Sequence, residues 1–368
     1  MRKVRIGVVG CGNVAEKYVP HLQQSAAVEL VAVCDPLVDR ARSFAQAYSI
    51  EHIYQDVDQM FSTLDFELVV NLTPMPLHAP INRKALEAGR NVWSEKPIAE
   101  DLPEAQALLA LARQQGVGLW SAPANLLAPA FRVMAQVLAA GTIGRVYAAH
   151  GIIGSSGPTF PGSAWFYQKG GGSLFDLGVY DVTLLTGLLG PVQGVVALSG
   201  TAIPRRSING HSIAVEADDN TALLLDHGDT VYSVIQTGFV YAAQRDDWTV
   251  QLIGTAGALT MGGYAWEPGE VSLYRGDQMK APGHWETVEP GEQEPYVWQS
   301  GATYIAECLA KGEKPLLSGE HAVHVLEVMR ATQRSAQTGQ RMQITSTFPW
   351  PPRGSAGAQS HDIQEQAA

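Results

Sequence analysis

Val4-Arg5-Ile6-Gly7-Val8-Val9-Gly10-Cys11-Gly12-Asn13-Val14-Ala15 is a short apolar run that breaks into the pattern GxGxxA. A β-branched run of this length predicts a buried strand, and the glycines predict a turn that opens a helix. Gly10 allows the tight turn, Gly12 lets backbone approach a pyrophosphate, and Ala15 is small enough for close helix–strand packing. The N-terminus of the helix favours the anion. Asp35 closes the next apolar run, VELVAVC, 20 residues beyond Ala15, where a carboxylate can accept a hydrogen bond from a ribose 2′-hydroxyl. Gly10, Cys11, Gly12, Asn13 and Val14 are therefore expected to hold a dinucleotide pyrophosphate, and Asp35 its ribose. A ligand-free glycine turn is the alternative, but strand, helix and distal aspartate together outweigh it. Asp35 repels a 2′-phosphate and favours NAD, while nearby Arg40 and Arg42 keep NADP open.

Outward from this stretch, short apolar runs alternate with amphipathic helical patterns as far as Ser121. The runs are VRIGVV, VELVAVC, ELVVNL, NVWS and GVGLWS, and the helical patterns include RARSFAQAY, INRKALEAG and EAQALLALARQQ. Such alternation predicts a parallel sheet covered on both faces, with its ligand at the strand C-termini. After Ala122 the pattern changes. PAFRVMAQVLAAG leads into VYAAHGII and a Gly/Pro-rich loop, and from Val192 onward alternating apolar segments dominate. NTALLLDHGDTVYSVIQTG reads as a hairpin turning at His227-Gly228-Asp229, and WTVQLIGTAGALTMGG as one turning at Thr255-Ala256-Gly257. Helices are expected near Trp298–Ala310 and over Gly319–Thr338. The expected fold class is an α/β Rossmann domain (1–121) plus an α+β domain with a large, mostly antiparallel open sheet (122–345). Residues 351–368 are small and polar and read as a disordered tail.

Composition narrows the partners. Across 368 residues, 25 basic against 36 acidic side chains leave a net charge of −11, which disfavours nucleic acid or an anionic membrane surface. Cys11, Cys34 and Cys308 stand in no metal-ligand or CxxC spacing, so no metal site is expected and a reducing cytoplasm fits. The N-terminus lacks the long apolar region of a signal peptide, and no stretch is long and apolar enough to span a membrane.

Three further motifs fall where the parallel sheet would present them. Thr73-Pro74 follows ELVVNL, with a hydroxyl and a fixed turn suited to a cofactor contact, or to a plain strand–helix junction. His78 stands where the next helix should begin, as a cofactor contact or as a capping and packing residue. Glu95-Lys96-Pro97 follows NVWS; Pro97 restricts Lys96 to extended or cis geometry, aiming an ammonium at a substrate hydroxyl and the nicotinamide ribose. A solvated lysine beside a turn is the bland alternative. Gly170-Gly171-Gly172 opens a mostly apolar helical run that ends at Gly190-Pro191. Asp176, Tyr180 and Thr183 fall at i, i+4 and i+7 on one face of it, a narrow polar stripe suited to a cleft wall. Trp165 and Tyr167, just before the glycines, offer aromatic faces to sugar C–H surfaces, or belong to a core.

GCGNVA (10–15), Thr73-Pro74 with His78, Glu95-Lys96-Pro97, GGGSLFDLGVYDV (170–182) and GTAGALTM (254–261) together resemble the Gfo/Idh/MocA family, over about Val4–Ile344. The resemblance implies NAD(P)-dependent hydride transfer at a secondary alcohol or hemiacetal of a sugar, cyclitol or related polyol. It also implies a homo-oligomer, dimer or tetramer, formed through the broad sheet of the second half. By resemblance, Asp176 and Tyr180 take the places of the family's Asp-x3-His pair, with tyrosine for histidine, as in its glucose–fructose oxidoreductase branch. Tyr180 would then move the hydroxyl proton with Lys96 lowering its pKa, and Asp176 would orient substrate or tyrosine. Where many relatives carry Asn-Arg, this chain has Ala122-Pro123-Ala124-Asn125-Leu126-Leu127, so a polar substrate contact is expected to be missing. Two other readings fit the same motifs: a redox-neutral NAD-dependent glycoside hydrolase or lyase, and a non-catalytic nucleotide-binding regulator.

Overall fold

The structure is a computed structural model, and it describes residues 2–243, 247–276, 282–289 and 296–351. The first part is a run of strands and helices: β1 (Val4–Val9), α1 (Ala15–Gln24), β2 (Val28–Cys34), α2 (Val38–Tyr48), β3 (His52–Tyr54) and α3 (Val57–Thr63). It continues through β4 (Leu68–Asn71), α4 (His78–Glu87), β5 (Asn91–Ser94), α5 (Leu102–Gln115) and β6 (Leu119–Ser121). The six strands form one parallel sheet in the order β3-β2-β1-β4-β5-β6. β1 and β4 are buried at nearly every position, because helices cover both faces; an interior strand of this kind has no polar side to alternate with. The order reverses at β1, so a crevice opens beyond the C-termini of β1 and β4. β3 was not expected from the sequence, since His52, Ile53 and Tyr54 show no apolar run.

The second part begins with α6 (Pro129–Ala139), β7 (Val146–Gly154), a π-helical turn at Leu174–Gly178 and α7 (Val179–Leu189). β8 (Gly194–Gly200), a small hairpin of β9 (Arg205–Ile208) and β10 (His211–Ala214), β11 (Asn220–Gly228) and β12 (Val231–Gly238) follow. The described chain ends with β13 (Val250–Gly254), β14 (Gly257–Tyr264), β15 (Glu267–Arg275), β16 (Trp285–Val288), α8 (Ser300–Lys311), α9 (Gly319–Thr338) and β17 (Met342–Gln343). Nine strands make an open sheet, β16-β15-β14-β13-β7-β12-β11-β8-β17, antiparallel except where β7 runs parallel to β12. α7 is apolar on nearly all sides, with Val182, Leu184 and Leu185 fully buried; a helix of this kind belongs inside. It lies against the sheet and α9, so the polar residues at its start are set in a rigid wall.

The first hairpin turns later than the sequence suggested, at Asp229-Thr230, both with positive φ (49° and 63°), as a tight primed turn requires. Apart from Pro351, the tail expected at 351–368 lies outside the described residues.

Candidate active site

The glycine loop after β1 has the geometry a pyrophosphate needs. Gly10 sits at φ +94°, and a Cβ there would lie 2.8 Å from the Leu72 carbonyl oxygen. A Cβ on Gly12 would meet nothing within 4 Å, so the backbone here faces open space. Val14, at the N-cap of α1, gives no side-chain bond to the first-turn amides, which leaves the helix end to an anion. Asp35 is buried at the end of β2; its Oδ2 accepts from the Cys11 amide at 3.1 Å and its Oδ1 from Leu37 N at 2.9 Å. The Cys11 amide is thereby spent on Asp35, and its buried thiol is pushed up to about 12 by burial and then by Asp35. Arg40 stands 3.6 Å from Asp35 with half its side chain exposed. Around the loop, Leu37 (54%), Leu77 (47%) and Val14 (37%) leave apolar surface exposed, suited to flat heterocycles. This crevice fits a dinucleotide.

β4 and β5 deliver the next residues. Thr73 Oγ1 donates to Asn71 Oδ1 at 2.7 Å, Asn71 Nδ2 donates to Asn82 Oδ1 at 2.9 Å, and Asn82 Nδ2 to the Ile98 carbonyl at 3.2 Å. Pro74 is exposed beside this network. His78 does not reach the crevice, contrary to the expected cofactor contact. It is 2% exposed, and its ring nitrogens face the carbonyls of Pro97 (2.7 Å) and Thr73 (2.8 Å). Burial pushes its pKa down. His78 acts as a latch between the two strand ends, the packing role that its place at a helix start also allowed.

The Lys96–Pro97 bond is cis. Lys96 Nζ donates to Asp176 Oδ1 at 2.8 Å and to the Asp176 carbonyl at 2.9 Å, so one of its three protons remains for a substrate. The pair is largely enclosed, with side-chain exposures of 14% and 22%, where charged hydrogen bonds are strong. The π turn at Leu174–Gly178 widens the backbone at Asp176, a feature common at functional sites. The Lys96 ammonium also stands over the Tyr180 ring, 5.5 Å from its centroid.

The expectation that Lys96 lowers the Tyr180 pKa is overturned. The phenol is pushed well above its ordinary 10, by burial first and then by Glu95 and Asp176. The ammonium is committed to Asp176, and two carboxylates outweigh it. Glu95 itself is fixed: Oε1 accepts from the Tyr18 hydroxyl at 2.7 Å and Oε2 from the Lys96 amide at 3.1 Å.

Two expected substrate contacts fall away. Tyr167 is fully buried, its hydroxyl donating to the Pro158 carbonyl at 2.8 Å and its ring under Arg206. Thr183 is 4% exposed and spends its hydroxyl on the Val179 carbonyl of its own helix at 2.7 Å. Both are core residues because their polar groups find partners inside. Trp165, by contrast, is 43% exposed and stacks on Phe166 at 3.7 Å. In the segment expected to lack a polar substrate contact, fully buried Asn125 instead donates to backbone, to the Tyr180 carbonyl at 2.9 Å and the Ala265 carbonyl at 3.1 Å. Sequence reading also missed Tyr18, Tyr264 and Trp266, which hold or border Glu95 and Tyr180. Tyr18 carried a signal, lying one turn after Ala15 on the dinucleotide helix; the other two carried none.

The fold and this site define a bipartite NAD-binding oxidoreductase. A family described as an oxidoreductase family with an NAD-binding Rossmann fold matches residues 4–122, and the GFO/IDH/MocA C-terminal domain matches residues 131–260. The chain belongs to the Gfo/Idh/MocA family of oxidoreductases. Among curated proteins it is 24% identical to D-apiose dehydrogenase of Paraburkholderia graminis, over 94% of this chain and 91% of that one. It is 28% identical to trans-1,2-dihydrobenzene-1,2-diol dehydrogenase of Mus musculus, over 89% and 96%. Among solved structures, levoglucosan dehydrogenase in complex with NADH aligns with a TM-score of 0.83 at 19% identity, covering 94% of this chain and all of that one.

Proposed function

We propose that this protein transfers hydride between the nicotinamide of NAD and a secondary alcohol or hemiacetal carbon of a sugar, cyclitol or related polyol. The carrying observation is the Lys96 ammonium, held by two bonds to Asp176 beside Tyr180 at the C-terminal edge of the parallel sheet. NAD, when bound, supplies the hydride acceptor. The glycine loop and the end of α1 take its pyrophosphate, Asp35 its ribose, and Thr73, Pro74 and Glu95 border the nicotinamide end. The third proton of Lys96 holds the substrate oxygen and stabilises the negative charge that develops there. Asp176 positions the ammonium. Tyr180 exchanges the hydroxyl proton. At neutral pH its phenol is protonated, so it is ready as the proton donor of the reductive direction, and oxidation draws on the small phenolate fraction.

The relatives' names, dehydrogenases of apiose and of a dihydrodiol, support an alcohol substrate. Absorbance of reduced nicotinamide, followed with NAD or NADP and a panel of sugars, cyclitols and glycosides, tests the reading. Growth of the reduced form with one alcohol is expected. Cleaved glycoside with no reduced cofactor would replace it with redox-neutral hydrolysis.

The reading extends to assembly and place. The outer face of the nine-stranded sheet exposes Leu198 (79%), Tyr232 (44%), Val196 (42%) and Leu224 (42%) on adjacent strands. An apolar patch of this kind marks an interface, and a homodimer or tetramer would cover it. Leu198→Asp is expected to yield monomers in light scattering; an unchanged mass would move the interface elsewhere. Among the described residues no helix is long and apolar enough to cross a membrane. The cysteines are free and buried, in keeping with a cytoplasmic protein.

A further inference from the structure

Tyr180 has an aromatic neighbour that the reaction chemistry does not use. Trp266 meets it edge to face, ring centroids 6.2 Å apart at 67°. Tyr264 lies flat on Trp266, 4.5 Å away and only 4° from parallel. Both rings are half-buried and keep exposed area. They occupy the tip of the β14–β15 hairpin, whose sharp reversal depends on Gly263. That residue has φ +74°, and a Cβ there would lie 2.7 Å from the Glu267 carbonyl oxygen.

The distance between this hairpin and Tyr180 is fixed by Asn125. Its one buried amide nitrogen bonds the backbone carbonyl of Tyr180 and that of Ala265, between the two rings. The aromatic pair is thus built onto the proton-transfer residue.

An unspent polar atom lies in the same place. Asn125 Oδ1 is buried without a hydrogen-bond partner among the described residues. A buried polar atom left unpaired is costly, so a protein that keeps one beside a reactive tyrosine gains when a ligand hydroxyl meets it.

A flat aromatic face takes up the C–H face of a saturated ring, while hydroxyls at the ring edge find the polar groups around it. An open-chain polyol has no continuous C–H face to lay down and must also freeze several bonds. We propose that Trp266, backed by Tyr264, is a ring-face platform, so that the site selects cyclic polyols over open-chain ones. The proposal rests on Tyr180 being the proton-transfer residue and names the substrate class that reaches it.

Calorimetric binding to the NADH-loaded full chain tests it, with methyl glucopyranoside, inositol and trans-cyclohexane-1,2-diol set against glucitol and xylitol. At least one cyclic ligand is expected to bind about tenfold or more tightly than either alditol. Trp266→Ala should erase that preference and Trp266→Phe should retain most of it. NADH affinity should stay unchanged in both variants, a control for the fold. Equal binding of both classes, no binding of any cyclic ligand, or a preference that survives Trp266→Ala would overturn the platform. Turnover is read separately: a cyclic ligand bound but never oxidised would strike the hydride-transfer reading and leave the platform standing.

Discussion

The glycine loop after β1 and the hairpin tip at Tyr264–Trp266 border the proposed site, and they are built differently. The loop is made by neighbours in sequence: Gly10, Gly12 and Asp35 act through backbone shape at the ends of two adjacent strands. The hairpin side is assembled from afar. Asn125, Tyr180 and the Ala265–Trp266 turn come from three different segments, joined by buried hydrogen bonds and a ring contact. A cofactor shared by many enzymes can be held by backbone geometry that tolerates sequence change. A substrate is chosen by side chains, and these can be replaced singly without disturbing the loop.

The contrast breaks most visibly at Tyr180. Tyr180→Phe should cut kcat about 100-fold or more, the range general acid–base catalysis supplies, with NAD affinity unchanged in a fluorescence titration. A matching loss of NAD binding would mean that the two sides are not separable. Next comes pH. Because burial, Glu95 and Asp176 raise the Tyr180 pKa above its ordinary 10, the phenolate is scarce at neutrality and grows as pH climbs. Alcohol oxidation should therefore keep rising beyond pH 9, while carbonyl reduction stays level over the same range before falling. A plateau of oxidation near neutrality would mean another base.

On the loop side the expected effect is smaller. Asp35→Ser removes the carboxylate and leaves Arg40, now 3.6 Å from it, free to meet a 2′-phosphate. The NADP-to-NAD ratio of kcat/KM should rise about tenfold, with the preference among alcohols intact. A change in alcohol preference would sharpen the comparison against the account.

How legible each side is in the sequence follows from the same difference. The dinucleotide loop, Asp35, Lys96 and the Asp176–Tyr180 spacing can be read because local chain geometry sets them. The hairpin of Tyr264 and Trp266 reads as a strand pair, yet nothing local says that it ends beside Tyr180; Asn125 makes that link across 140 residues. Thr183 and Tyr167 misled for a related reason. Helical spacing placed Thr183 with Tyr180, but its hydroxyl satisfies its own helix, and Tyr167 has its hydroxyl partner within the loop at Pro158. Periodicity shows which face a side chain shares, not whether its polar atom is already satisfied.

The smallest effect concerns Asp181, next to Tyr180 but pointing into the core. Its carboxyl is fully buried, and neither oxygen has a partner among the described residues. Burial raises its pKa well above 3.8, so the folded chain holds a proton that the unfolded chain releases above that pH. Folding is penalised at neutrality, and the penalty disappears as pH falls below 3.8. Asp181→Val should stabilise the protein by about 1–3 kcal/mol at pH 7, with the gain shrinking towards acid in denaturant titrations. A loss of stability at pH 7 would show the carboxyl to be satisfied.

The central claim, hydride passing from an alcohol carbon to nicotinamide, is tested most directly by isotope transfer. The alcohol that supports turnover is prepared with deuterium on its carbinol carbon, and the cofactor is recovered for mass spectrometry. The account predicts reduced NAD heavier by one deuterium, formed in step with the ketone or lactone. Deuterium appearing in solvent, or retained in a cleaved glycoside with no reduced cofactor released, would contradict it.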